Sequence, residues 1–93
     1  MIRSFGSTRT ERIWREQYAK GVDRTVQRAV LRKLELIHAA EDLHDLRIPP
    51  GNRLEQLVGD RRGQHSIRVN AQWRICFVWR DGGAEHVELV DYH

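Results

Sequence analysis

A single cysteine, Cys76, stands among 93 residues, so an internal disulfide framework and a multi-cysteine zinc site are both excluded. Ordinary packing must hold the fold. No apolar run approaches the roughly 18 to 20 residues of a membrane span, and Met1-Ile2-Arg3-Ser4-Phe5 lacks the apolar stretch of a signal peptide. The expectation is one small soluble domain over residues 1–93, cytoplasmic and without a membrane partner. Lysine is scarce as well. Of 16 basic residues, set against 13 acidic ones for a net charge of +3, only Lys20 and Lys33 are lysines. The rest are arginines, whose planar fork binds phosphate in bidentate fashion and stacks on bases, so nucleic acid is the first partner to consider beside a merely solvated surface. A chain of this size cannot enclose a large substrate pocket. Any activity must borrow binding surface from a partner.

What is present reads as a helical half followed by a strand-rich half. Ile2 to Phe5 forms a short first strand. Thr8 with Glu11 three residues on fits a capping box, and Ile13, Trp14 and Tyr18 follow near one face, which predicts a helix from Thr8 to about Ala19. From Arg24 to about Ala40 the residues Val26, Val30, Leu34 and Ile37 recur at helical spacing. The opposite face of this second helix carries Arg24, Arg28 and Arg32 four residues apart, a stripe that either faces solvent or tracks an RNA backbone. Ile48-Pro49-Pro50-Gly51-Asn52 is an irregular loop. Leu54 to Val58 is a short strand, closed by the turn Gly59-Asp60-Arg61-Arg62-Gly63. Beyond it, His65–Val69, Trp73–Trp79 and Ala84–Val90 are β-branched and aromatic with turn residues between them, an antiparallel meander. The fold class is α+β, with two N-terminal helices covering the apolar sheet face of Ile67, Trp73, Ile75, Phe77 and Trp79.

Strand register places the charges. With Gly82-Gly83 as a two-residue loop, Arg80 pairs with Glu85, Val78 with Val87, Cys76 with Leu89 and Arg74 with Asp91, and Trp73 faces Tyr92 on the other side. In the preceding hairpin, Val69 against Trp73 and Ile67 against Ile75 puts Arg68 beside Arg74. The expected result is a cluster of Arg68, Arg74 and Asp91 on one face. Two adjacent guanidinium groups repel unless an anion lies between them, so a phosphate would complete the cluster. The plainer alternative is an Arg–Asp cross-strand pair with Arg68 reaching into water.

The ending Asp91-Tyr92-His93 adds chemistry. An imidazole beside Asp91 and the terminal carboxylate can take or give a proton near neutral pH. RNA transesterification needs a base for the 2′-hydroxyl, cations for the phosphorane and an acid for the 5′-oxygen. Asp91, His93, Arg68 and Arg74 cover all three, and Tyr92 can stack on a base or hydrogen-bond the phosphate. No metal or cofactor is required, and the five histidines show no ligand spacing. Cys76, central in the most apolar strand, reads as packing.

Leu54-Glu55-Gln56-Leu57-Val58-Gly59-Asp60-Arg61-Arg62-Gly63, Ser66-Ile67-Arg68-Val69-Asn70, Gln72-Trp73-Arg74-Ile75 and Val90-Asp91-Tyr92-His93 together resemble the HigB toxins of the RelE-like superfamily, as does Ile2-Arg3-Ser4-Phe5. The resemblance spans essentially the whole chain. It implies a ribosome-dependent mRNA endonuclease of a toxin–antitoxin pair, neutralised by a HigA-like helix-turn-helix antitoxin. It also implies a catalytic set on Asp91, Tyr92 and His93, with Arg74 as a phosphate-binding cation and Arg68 as a second. Some family members carry histidine where this chain has Glu55 and lysine where it has Val58. Either Glu55 acts as an acid or base, or the acid–base work falls on His93 and Asp91 alone. On this reading the ribosome orients the mRNA, and Arg24, Arg28, Arg32, Arg61 and Arg62 contact RNA. The rival reading is a module of the same fold that occupies ribosomal or other RNA without cutting it.

Overall fold

In a computed structural model, which describes residues 1–92, two helices lie on one face of a four-stranded antiparallel sheet. Helix α1 spans Thr8–Trp14, shorter than the predicted Thr8–Ala19. Its cap is Ser7 rather than Thr8, with Oγ accepting from the Thr10 amide at 3.3 Å. The chain leaves the helix through Arg15, and Glu16 adopts the left-handed φ of 57°. Tyr18 consequently falls off the packed face and is exposed. Helix α2 spans Arg24–Ala39, starts on an Asp23 cap, and buries Val30, Leu34 and Ile37 as its spacing predicts.

The strands run in sequence order: β1, Glu55–Gln56; β2, His65–Arg68; β3, Trp73–Arg80; and β4, Gly83–Asp91. The expected first strand reduces to two parallel bridges, Ile2 to Ala84 and Phe5 to Val87, that line the outer edge of β4. Farther along that edge, α1 satisfies the backbone of Leu89: its amide donates to Thr10 Oγ1 at 2.9 Å and its carbonyl accepts from Arg9 at 3.2 Å. A strand edge left open would be a template for unwanted pairing, and side chains of α1 close this one. The core joins Ile13, Val30, Leu34 and Ile37 to Ile67, Trp73, Ile75, Phe77, Val87 and Leu89. These strand residues share one face by the two-residue alternation of a strand.

The β3–β4 register differs from the expected one, with a direct consequence for the site. The tight loop is Asp81-Gly82, both at positive φ (51° and 76°), and Arg80 pairs with Gly83. Asp-Gly is the natural occupant of a type I′ turn, where both central residues need left-handed backbone. Moving the loop by one residue displaces the pairing by two, which leaves every side chain on its expected face. Farther along, Val78 pairs with Glu85 but Cys76 with Glu88, so β4 contains one extra residue. His86, at φ 52°, sits in this bulge. The bulge displaces the pairing by one and exchanges the faces. Arg74 therefore faces Val90, and Asp91 faces Trp73. The expected pairs Arg74–Asp91, Trp73–Tyr92, Val78–Val87 and Cys76–Leu89 do not form. Arg80 and Glu85 still meet, as a diagonal pair at 3.4 Å.

Candidate active site

The sheet face turned away from the helices carries Glu55, Ser66, Arg68, Arg74, Cys76 and Glu88. As the β2–β3 pattern predicts, Arg68 stands directly opposite Arg74. Asp91 leaves this cluster. It follows Trp73 to the helix-side face, where its carboxylate accepts from Gln72 Nε2 at 3.2 Å. Tyr92 takes its place, with the ring over the Arg74 guanidinium at 5.7 Å. The Tyr92 amide donates to the Gln72 carbonyl at 2.6 Å, which ties this end of the chain to the β2–β3 turn. That turn is itself organised by Asn70, whose Oδ1 accepts from the amides of Gln72 and Trp73, both at 2.8 Å. His93 lies outside the described residues.

Arg74 is the most constrained charge of this face, only 8% exposed. Its Nε donates to Ser66 Oγ at 2.8 Å, and Nη2 donates to the Arg53 carbonyl at 2.8 Å. The Glu55 carboxylate lies 3.9 Å from Nη2 and is about half exposed. Among the described residues, Nη1 of Arg74 has no hydrogen-bond partner, and Arg68 makes no ion pair. Beside them runs an open groove of about 460 Å³ lined by Glu55, Gln56, Leu57, Val58, Asp60, Arg61 and Tyr92. Arg61 is half-buried and held by Gln64 at 3.1 Å and Glu88 at 3.3 Å. Arg62 is exposed on the same loop. Cys76 lies fully buried under this charged face, and burial pushes its thiol pKa up, so it stays a packing residue.

Among the described residues the arrangement offers a fixed cation with Nη1 unpaired, a second cation opposite it on the next strand, a carboxylate 3.9 Å from the first cation and an aromatic ring over it. A phosphodiester fits such a set: an anion between two guanidinium groups relieves their repulsion, and the carboxylate is placed to accept a proton. Arg24, Arg28 and Arg32 are exposed along the outer side of α2. Since α2 packs on the other sheet face, that stripe and Arg74 lie on opposite sides of the molecule, and the structure does not bring them together. Three participants in the site, Ser66, the Arg53 carbonyl and Glu88, do not emerge from the sequence reading. Ser66 had a usable signal, two residues before Arg68 on the same face; the Arg53 carbonyl had none, because it depends on a left-handed residue after Pro50 (φ 45°, ψ 55°).

The fold is that of a small RelE-like protein. The family model for RelE-like toxins of type II toxin–antitoxin systems, HigB, matches residues 3–93, and the chain belongs to that HigB-like toxin family. It is 47% identical over 82 residues to Toxin HigB-1 of Vibrio cholerae serotype O1, across 82% of this chain and 86% of that protein. It is 32% identical over 97 residues to Endoribonuclease HigB of Proteus vulgaris, across the full length of both. A solved YoeB-YefM complex from Staphylococcus aureus shares the fold at a TM-score of 0.57 and 13% identity, covering all of this chain and 98% of that one. No helix among the described residues is long and apolar enough to cross a membrane.

Proposed function

We propose that the protein is an endoribonuclease that cuts translated mRNA on the ribosome and so arrests translation. The observation that carries this reading is that Arg74, paired across the strands with Arg68, touches both Glu55 and Tyr92, two residues that line an open groove on the face opposite the helices. The 2′-oxygen attacks the adjacent phosphorus while the bond from phosphorus to the 5′-oxygen breaks, giving a 2′,3′-cyclic phosphate and a 5′-hydroxyl. Glu55 takes the 2′-hydroxyl proton. Arg74, through Nη1, and Arg68 hold the charge that builds on the phosphorane oxygens. The proton on the leaving 5′-oxygen is assigned to His93 by its chemistry. Tyr92 walls the guanidinium and offers its ring to a base. Asp91, the remaining member of the catalytic set that the family resemblance implies, lies on the other sheet face, where its carboxylate also accepts from Gln72 Nε2.

The chain's own groups supply these roles without a metal or cofactor. The site is too open to orient a flexible RNA strand, so the ribosome supplies the substrate geometry. Arg24, Arg28, Arg32 and Arg62 dock on ribosomal RNA through charge. The family's toxin–antitoxin setting, the Vibrio and Proteus relatives and the sequence motifs support a HigA-like helix-turn-helix antitoxin as the neutralising partner.

The test is inducible expression followed by mapping of 5′ ends on translated messages, for the wild type, Glu55→Gln and a version lacking His93. New ends that need active ribosomes and fade in both variants support the proposal. Growth arrest without new ends would mean a module that binds ribosomal or other RNA and does not cut.

A further inference from the structure

We infer that Ser66 is a positioning residue for the reaction: its hydroxyl, together with the carbonyl of Arg53, clamps the Arg74 guanidinium so that Nη1 alone is presented to the phosphate. This rests on the endonuclease reading above and specifies how its main cation is aimed.

Both acceptors are built for the purpose. Ser66 is fully buried, yet its Oγ accepts the Arg74 Nε–H at 2.8 Å, and its carbonyl lies 3.4 Å from Nη2. A hydroxyl at a fully buried strand position would otherwise cost stability relative to an apolar residue of its size, and here the cost is offset by a charge-assisted bond. The Arg53 carbonyl reaches Arg74 because Arg53 is left-handed. That kink is anchored from below by Asn52, fully buried, whose side chain donates to the carbonyls of Leu46 at 3.1 Å and Ile48 at 3.3 Å and accepts from Lys33 Nζ. An arginine side chain has four rotatable bonds, and two fixed acceptors at Nε and Nη2 remove that freedom before substrate arrives. The guanidinium is planar, so fixing two of its nitrogens fixes the third. A cation held in this way needs no reorganisation when phosphorane charge develops, and that is the condition under which it accelerates the step.

The test uses the full chain with ribosomes programmed on a defined mRNA, and nitrogen-15 NMR of the arginine Nε–H groups of the free protein. Ser66→Ala and the near-isosteric Ser66→Cys both remove a good oxygen acceptor. Expected are a protected Arg74 Nε–H signal in the wild type, assigned through Arg74→Lys, and its loss to solvent exchange in both variants, with circular dichroism showing both folded at the assay temperature. Turnover falls on the order of 100-fold, with little change in the ribosome concentration needed for half saturation. A retained Arg74 Nε–H signal in the variants, or unchanged turnover, overturns the clamp while leaving the nuclease reading intact. If the wild type cuts nothing, the nuclease reading fails and with it the positioning role, even where the NMR result shows the two acceptors holding Arg74.

Discussion

The Tyr92 ring lies over the Arg74 guanidinium, 5.7 Å from Cζ to the ring centroid, at the position where strand alternation alone would have put Asp91. This contact keeps the cation between an aromatic wall and its two oxygen acceptors. Tyr92→Phe preserves the wall, whereas Tyr92→Ala removes it. Single-turnover cleavage is expected to fall about tenfold further for the alanine variant than for the phenylalanine one, the scale of a partly desolvated cation–π contact. Equal losses would assign the whole effect to the hydroxyl.

Arg74→Lys keeps the charge and loses the fork. One ammonium cannot reproduce the two bonds to Ser66 Oγ and the Arg53 carbonyl in the fixed plane of the guanidinium and keep a further donor unpaired beside them. Cleavage should drop about 100- to 1,000-fold, as for loss of a donor to a developing oxyanion, and a rate within tenfold of wild type would remove Arg74 from the transition state.

The arginine stripe on α2 is separated from the groove by the sheet, so its contribution is to association. Replacing Arg24, Arg28 and Arg32 with glutamate should weaken ribosome binding in co-sedimentation and flatten its salt dependence, by about one in log–log slope for each phosphate no longer neutralised. The maximal cleavage rate at saturating ribosomes should be unchanged. A fall in that rate, with binding intact, would contradict the separation of the two surfaces.

Of the three left-handed positions in the β3–β4 hairpin, Asp81, Gly82 and His86, the last two have opposite character. At Gly82, φ 76°, a side chain is strained, and Gly82→Ala should destabilise the protein by about 1–2 kcal/mol. At His86, φ 52°, the strain is already present, and His86→Gly should stabilise it by up to about 1 kcal/mol. Chemical denaturation of both variants measures the contrast.

His65 carries a buried Nδ1 with no hydrogen-bond partner among the described residues, and its ring stacks on Phe77 at 6.5 Å. Burial lowers its pKa from 6.5, so the folded state binds fewer protons there than the unfolded chain. Stability is then full above the unfolded pKa and declines as pH falls through 6.5 toward the lower folded value. Thermal melts from about pH 7.5 to about pH 5 should show a steeper decline for wild type than for His65→Gln, which cannot titrate. Parallel declines would mean that His65 is not responsible.

Period and turn chemistry made much of this fold legible. The α2 stripe of Val30, Leu34 and Ile37, the sheet face of Ile67, Ile75 and Phe77, and the Arg68–Arg74 pair all follow from apolar residues meeting apolar residues. The site was harder because its composition depends on parity along β4. A bulge leaves no reliable mark in sequence: His86 is an ordinary residue, and its left-handed backbone is imposed by the surrounding pairing. The end of α1 departs from its period for a similar reason. Tyr18 fits the helical spacing, but the chain turns at Glu16 so that Ala19 and Val22 can be buried instead.

That bulge gives β4 something akin to a reading frame. Downstream of His86, each residue's allegiance to the groove or to the helices is decided by whether the count of residues back to the Asp81-Gly82 turn is odd or even. Loss or gain of one residue between that turn and Glu88 would hand the groove to Asp91 and withdraw Tyr92, turning a cation-rich surface toward neutrality without altering any residue of the final triplet. Relatives that differ in length at this point should therefore be compared by frame before they are compared by letter.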